Sequence, residues 1–267
     1  MLFTQLPRVL NYGNPVNRAA PLNSGLVAWW LSLAQATGGG RILDLNKRLN
    51  ATLTNGAKPS GQRRQSGFGS YLFDGTNDYA TCAGPGGSWS AFTLVGWVKP
   101  TSLGDFERFV SFNLPRLGIM ANGRLTAEFS GVDRFSSVGL VTTGSWQHVG
   151  LVYSDTLRCE FWKNGTLDTS IGSPSFGSQS PGTCYIGSYN GAILFFDGVL
   201  DDWRVYNRAL TANEMKLLYN ASRTGYQREL NWLDRPWLVN SAAAPAGGGS
   251  AGIIGGGIGA ANYVIGG

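Results

Sequence analysis

Between residues 67 and 206 the chain is written in short apolar runs separated by turn residues. FTLVGWVKP (residues 92–100) is apolar on both alternation faces, the pattern of a strand held between two layers. LGIMANGRLTAEFSG reads as two strands joined at Asn122-Gly123, and CEFWKNGTLDTSI repeats the design at Asn164-Gly165. An Asn-Gly pair between apolar runs signals a hairpin, because both central turn positions need positive φ. GSYLFDGTNDYATC holds an apolar run, an Asp74-Gly75 turn and a second short run. GLVAWW (residues 25–30) opens the pattern, and SWQHVGLVYS, TCYIGSY and AILFFDG each add a strand. Short strands at this spacing, nearly without helical periodicity, predict an antiparallel β-sandwich or barrel.

One helix interrupts the rhythm. Thr211, Ala212, Asn213 and Glu214 have capping-box spacing, and Met215, Leu217, Leu218 and Ala221 continue it for two to three turns. Residues 1–22, broken by Pro7, Pro15 and Pro21, predict an extended arm. RTGYQRELNWLDRPWLVN follows the helix and is aromatic and basic. The last stretch, AAAPAGGGSAGIIGGGIGAANYVIGG, has no charged side chain and is too apolar for a solvated linker. The predicted division is an N-terminal arm (1–22), a β domain (23–220), and an aromatic/basic segment with a Gly-rich tail (221–267). Two readings of the tail stand: a floppy end, or a segment ordered only against a partner, with Trp232, Trp237 and Tyr263 as contacts.

Composition narrows the function. Charged residues are 14% of the 267, and the net charge of +5 is scattered, so no basic stripe marks a nucleic-acid groove. No apolar window reaches membrane-spanning length, and no secretion-type h-region stands at the N-terminus. Three cysteines without a CxxC and a single histidine, His148, argue against a zinc site and for buried free thiols. Trp97, Trp146, Trp162 and Trp203 lie in strand patterns and read as core, as does His148.

FDGTNDYA, SWQHVGLVYS with FWKNGTL, and YIGSYNG with FDGVLDDWRVYNRALTANEM occur in that order. Together they resemble the laminin-G-like, concanavalin A-type jelly-roll family over residues 25–219. The resemblance implies an all-β, two-sheet antiparallel jelly-roll sandwich with one short C-terminal helix between the extended arms. Some members hold a structural calcium with acidic residues near the opening and closing strands. Here that implies Asp202 with Asp44 and backbone carbonyls, although WWLSLAQ lacks the acidic residue that usually ends the opening strand. The alternative is structural: Asp201 or Asp202 accepts hydrogen bonds from backbone, Arg204 or Arg208 and locks the closing strand. Strict alternation sets Asp201 with Trp203 and Val205, and Asp202 with Arg204 and Tyr206.

Enzymatic machinery is missing. No strand carries the spaced carboxylates that glycoside hydrolysis needs ~5–9 Å apart, and no G-x-S-x-G, P-loop or dinucleotide fingerprint occurs. Tyr79, Tyr189 and Asn190 lie beside turns and are the candidate sugar-binding residues, since sugar C–H faces stack on aromatic rings. The expected function is non-catalytic. One reading is a structural surface component of a phage-like virion, whose arms grip other subunits or a second copy and whose jelly roll binds glycans. Such a protein is made in the cytoplasm and needs no secretion signal. The other reading is a bacterial lectin-like module, acting outside the cell, with no part in assembly.

Overall fold

The computed structural model describes residues 21–32, 40–62, 69–129, 131–154, 158–172 and 177–223. Residues 1–20 of the predicted N-terminal arm, and the C-terminal segment with Trp232, Trp237 and Tyr263, lie outside the described residues. The chain runs through β1 (Leu26–Trp30), β2 (Arg41–Ile42), β3 (Ala51–Thr54), β4 (Lys58–Ser60), β5 (Ser70–Asp74), β6 (Tyr79–Cys82), β7 (Ala91–Pro100) and β8 (Glu107–Ser111). It continues through β9 (Arg116–Ile119), β10 (Leu125–Phe129), β11 (Val132–Phe135), β12 (Gln147–Ser154), β13 (Arg158–Lys163), β14 (Thr166–Gly172), β15 (Cys184–Ile186), β16 (Asp197–Tyr206) and α1 (Ala212–Arg223). All pairings are antiparallel and make two sheets. One is ordered β14-β13-β12-β7-β16-β5-β4, with β1 also on β16; the other is β11-β10-β9-β8-β15-β6-β3-β2. The predicted two-sheet jelly-roll sandwich with a short helix after its last strand is the architecture observed.

The core lies between the sheets. Phe92, Leu94 and Val98 of β7 and Trp203 and Val205 of β16 meet Phe109, Leu117, Ile119 and Phe129 of the facing sheet. Phe92, Tyr153 and Phe129 stack in series at 5.0 and 4.8 Å. Gly96 makes room for the Trp203 indole, since a Cβ there would stand 2.4 Å from the ring. The other face of β7 is also covered, which is why that strand reads as apolar throughout. Met215 and Leu218 of α1 pack with Val95, Val152 and Trp162 in a second cluster. His148 is buried between the rings of Trp97 and Tyr219, at 5.2 and 5.8 Å. Trp97 and Trp162 therefore serve the helix interface, not the inter-sheet core. Trp146 is half-buried and precedes β12.

Local signals are realised where the chemistry is local. Asn164 and Gly165 both take positive φ between β13 and β14. The capping box forms: Thr211 N donates to Glu214 Oε2 (2.8 Å) and Glu214 N to Thr211 Oγ1 (3.3 Å). Arg208 grips both oxygens of the same Glu214 and, as the largest influence, holds its carboxyl below the usual range. All three cysteines are free and buried.

Two expectations are corrected. At Asn122-Gly123 only the glycine has positive φ, because the loop closes from Met120 to Arg124 and is wider than a two-residue turn. The Asp74-Gly75 turn forms as read and links β5 to β6, which belong to different sheets. AILFFDG is not a strand of its own: Ile193 folds back on Tyr189 in an isolated bridge, and β16 begins at Asp197.

The aspartate pair lies where β16 changes neighbours. One edge of β16 pairs with β7 along most of its length. On the other edge, residues 197–200 pair with β5 and residues 203–206 with β1. A bulge falls at this changeover, with Asp202 at φ 53° and the register to β7 shifting between Asp201 and Arg204. Leu200 and Trp203 thus both face the core although they are three residues apart. Strict alternation fails here: Asp201 is paired with Trp97, an outward residue, and does not share the face of Trp203 and Val205.

Candidate functional site

The outer face of the β2–β11 sheet carries a row of polar residues set by register. Asp133, Glu128, Arg116, Ser111, Tyr185 and Thr81 lie directly opposite one another in successive strands. Opposed residues of antiparallel strands project to the same side, so the row is continuous. The loop from Gly187 to Phe196 folds back over it, closed by Phe196 N to Gly187 O (2.9 Å) and Tyr189 N to Ile193 O (2.9 Å). Asn190, Gly191 and Leu194 take positive φ in this loop. Gly191 is required, because a Cβ there would sit 2.9 Å from Tyr79 Cζ and 3.3 Å from Tyr185 Cε1.

This loop brings the predicted sugar-contact residues together. Tyr79 lies beside Tyr185, with centroids 6.1 Å apart, and the backbone of Gly191 covers both. Tyr189 lies over the Arg116 guanidinium at 3.9 Å. Asn190 is exposed at the tip, its side chain accepting from Ala192 N. Tyr185 and Arg116 escaped the sequence reading. Alternation in LPRLGIM already set Arg116 opposite in face to Leu117, but which strand lies next to it is a long-range fact.

Charge on this face is balanced internally. Arg108 and Arg116 both donate to Glu128 Oε2, the former at 3.2 Å. Burial lowers the Arg108 pKa, and Glu128 and then Asp133 oppose that shift. Burial first, then the Glu128 charge, raises the Asp133 carboxyl. The group places a guanidinium over the Tyr189 ring and ties Glu128 to two guanidinium groups.

Two further carboxyls, Asp78 and Glu107, have raised pKa values, each by burial first. Glu107, 8% exposed, is pushed up to about 7, by burial first and then by the charge of Asp197, against the backbone amides of Asp197 and Gly104. Its Oε2 has no hydrogen-bond partner among the described residues. A native pKa above the unfolded value means that the folded state binds the extra proton. Stability from this group is therefore full below about pH 4.5 and is lost as pH rises through 7. At about 1.4 kcal/mol per unit, the loss is on the order of 3–4 kcal/mol. Glu107→Gln should flatten the decline in urea-unfolding stability between pH 5 and pH 8; an unchanged slope would refute the assignment.

Asp44 and Asp202, the residues implied for calcium, converge on the two ends of Trp29. Asp44 Oδ1 accepts from Trp29 N (2.8 Å) and Asn46 N (2.9 Å), and Oδ2 from Arg48 N (3.0 Å) and Leu49 N (2.9 Å). Two donors on each oxygen fill its lone pairs. Asp202 Oδ1 accepts from the Trp29 indole (2.7 Å) and Arg204 Nε (3.3 Å), with the Arg204 guanidinium 4.0 Å over the Trp29 ring. A calcium ion wants six to eight free oxygens, and this pair faces N–H donors and a cation, so the residues do not fit one. Among the described residues no group of three or more His, Cys, Asp or Glu could hold a metal. The structural alternative accounts for the pair: Asp201 accepts from Ser32 N (3.2 Å), just past β1, and Asp202 from Arg204 and from the Trp29 indole of β1, so both tie β16 to the opening strand. Arg208, the other candidate donor, goes to Glu214.

Two facing antiparallel sheets, a closing strand that ends in a capped helix and a tyrosine-lined outer face define a concanavalin A-like jelly roll. The chain belongs to the laminin-G-type family described as the concanavalin A-like lectin/glucanases superfamily, whose profile matches residues 74–216, just over half its length. No curated protein sequence matches it. Solved structures share the fold at low identity. The binding domain of Paraclostridial mosquitocidal protein 1 superposes with a TM-score of 0.60 at 16% identity, covering 75% of this chain and 53% of that one. Domain 4 of AbnA, an extracellular arabinanase from Geobacillus stearothermophilus solved with arabinotriose, gives 0.55 at 18%, covering 73% and 98%. The receptor-binding domain of botulinum neurotoxin D gives 0.56 at 12%, covering 75% and 54%. The chain thus spans about half the length of the toxin domains it matches. No described helix is long and apolar enough to cross a membrane.

Proposed function

We propose that the protein is a non-catalytic glycan-binding jelly roll that uses the outer face around Tyr79, Tyr185, Tyr189 and Asn190. The observation that carries this is the folded-back loop, which assembles three tyrosines and Arg116 from three separate chain segments. Family membership and neighbours that include an arabinotriose complex and receptor-binding domains support it. Binding without hydrolysis is favoured because Glu128 on this face is held by two arginines and Glu107 is buried.

A glycan array on the full chain, followed by calorimetry on the best ligand, tests this. Tyr189→Ala should weaken binding about tenfold, the equivalent of roughly 1.4 kcal/mol for one lost ring contact. Binding that is indifferent to Tyr189→Ala, or absent for every glycan, would overturn the proposal. A surface role in a phage-like virion is compatible with it. That reading rests on the uncharged tail of residues 241–267 and the aromatic segment before it, which suit burial against another subunit or a second copy.

A further inference from the structure

A cleft lies where the start of β1 meets the end of β16. Residues 23–27 form one wall and residues 85–89 the other, with Arg48 and Asn207 completing the lining around about 500 Å³. That volume is within the ~300–1,000 Å³ range of small-ligand sites. Its chemistry is one-sided. Arg48 is exposed and makes no ion pair with a described residue, and no aspartate or glutamate lines the cleft. Trp89 is 6% exposed, and its Nε1 lies 3.8 Å from where a Gly87 Cβ would stand; that indole N–H donates to no described residue. Gly86 and Gly87 both take positive φ, and a Cβ on Gly86 would meet nothing within 4 Å, so this wall is bare backbone. Asn207 and Ser88 add hydroxyl and amide groups.

We infer that this cleft binds an acidic saccharide, with the sugar carboxylate on Arg48 and the ring and its hydroxyls against Trp89, Asn207 and the Gly86–Gly87 backbone. A peptide would ask for open apolar side-chain pockets; of the apolar lining residues Leu26 and Trp89 are buried and Val27 and Pro85 half-buried, so the cleft presents mainly Asn, Ser, Gly and Arg. A neutral sugar would leave the guanidinium without a counter-charge, whereas a uronic acid supplies one carboxylate for one cation. The site uses none of the residues on the tyrosine face, so each can fail without the other.

The full chain titrated with glucuronic acid, and followed by ¹⁵N NMR, is the test, with the Trp89 indole signal assigned from Trp89→Phe. The Trp89 indole and the Gly86 and Gly87 amides should shift and saturate with glucuronic acid and respond at least tenfold more weakly to glucose. Arg48→Gln should reduce the glucuronic acid affinity at least tenfold while leaving the melting temperature unchanged, and Tyr189→Ala should leave that affinity unchanged. Equal responses to glucose and glucuronic acid, or no effect of Arg48→Gln, would overturn the proposal. So would saturation of the same signals by sulfate or acetate at equal affinity, which would make this a plain anion site.

Discussion

Asp202→Ala should destabilise the fold by about 3–5 kcal/mol, the loss expected when one partner of a buried ion pair is removed. Arg204 is 3% exposed and Asp202 2%. Removing the carboxylate leaves that guanidinium in the interior without Asp202, and takes the acceptor from the Trp29 indole. The position also holds φ at 53°, which alanine tolerates less well than aspartate or asparagine. Asp202→Asn separates these effects: it keeps the backbone preference and an acceptor for Trp29, but not the charge. It should fall between wild type and alanine. Replacing both partners, Asp202→Asn with Arg204→Met, should recover much of the Asp202→Asn loss, because the uncompensated charge has gone. Urea denaturation reads all four proteins. A loss below about 1 kcal/mol for Asp202→Ala, in the range of an exposed pair, would show that the network does not hold the strand junction.

Asp44→Ala should be of similar size, about 3–4 kcal/mol, for a different reason: an unmade hydrogen bond to a buried donor costs about 1–3 kcal/mol. Four main-chain N–H groups lose their acceptor together. Those of Trp29 and Leu49 belong to buried residues, while those of Asn46 and Arg48 reach water more easily, so the sum is less than fourfold. Asp44→Asn should rescue little, because its amide nitrogen would confront two N–H donors where a carboxylate oxygen stood. EDTA distinguishes this role from metal binding. If Asp44 and Asp202 held calcium, chelation would lower the melting temperature of the wild type; with the carboxylates spent on N–H donors, the melting curve should not move.

The fate of these two aspartates shows how far local pattern reaches. Strand periodicity, the Asn164-Gly165 turn and the Thr211–Glu214 cap are contests between a few neighbouring residues, so they stand in the linear order and survive into the fold. The doubly apolar FTLVGWVKP likewise announces a central strand, covered by core on one face and helix on the other. A bulge is different. It inserts one residue exactly where β16 exchanges β5 for β1, and nothing within DDWRVY announces that exchange. The error over the face of Asp201 follows directly, since one extra residue inverts the alternation on one side of it.

The proposed binding face divides in the same way. Tyr79 and Tyr189 were legible as turn-flanking aromatics. Tyr185 and Arg116 were not, because their place depends on β15 lying between β6 and β8, strands from distant parts of the chain. Short-range order encodes which segments become strands, which turns are tight and where the helix starts, since those energies depend on residues a few positions apart. Neighbours across the sheets, the acceptors that Asp44 and Asp202 present to Trp29, and the clustering of Tyr79 and Tyr185 beneath the loop that carries Tyr189 arise only when segments up to 173 residues apart are packed together. Register, burial and charge pairing are properties of that packing, and the linear pattern carries no separate signal for them.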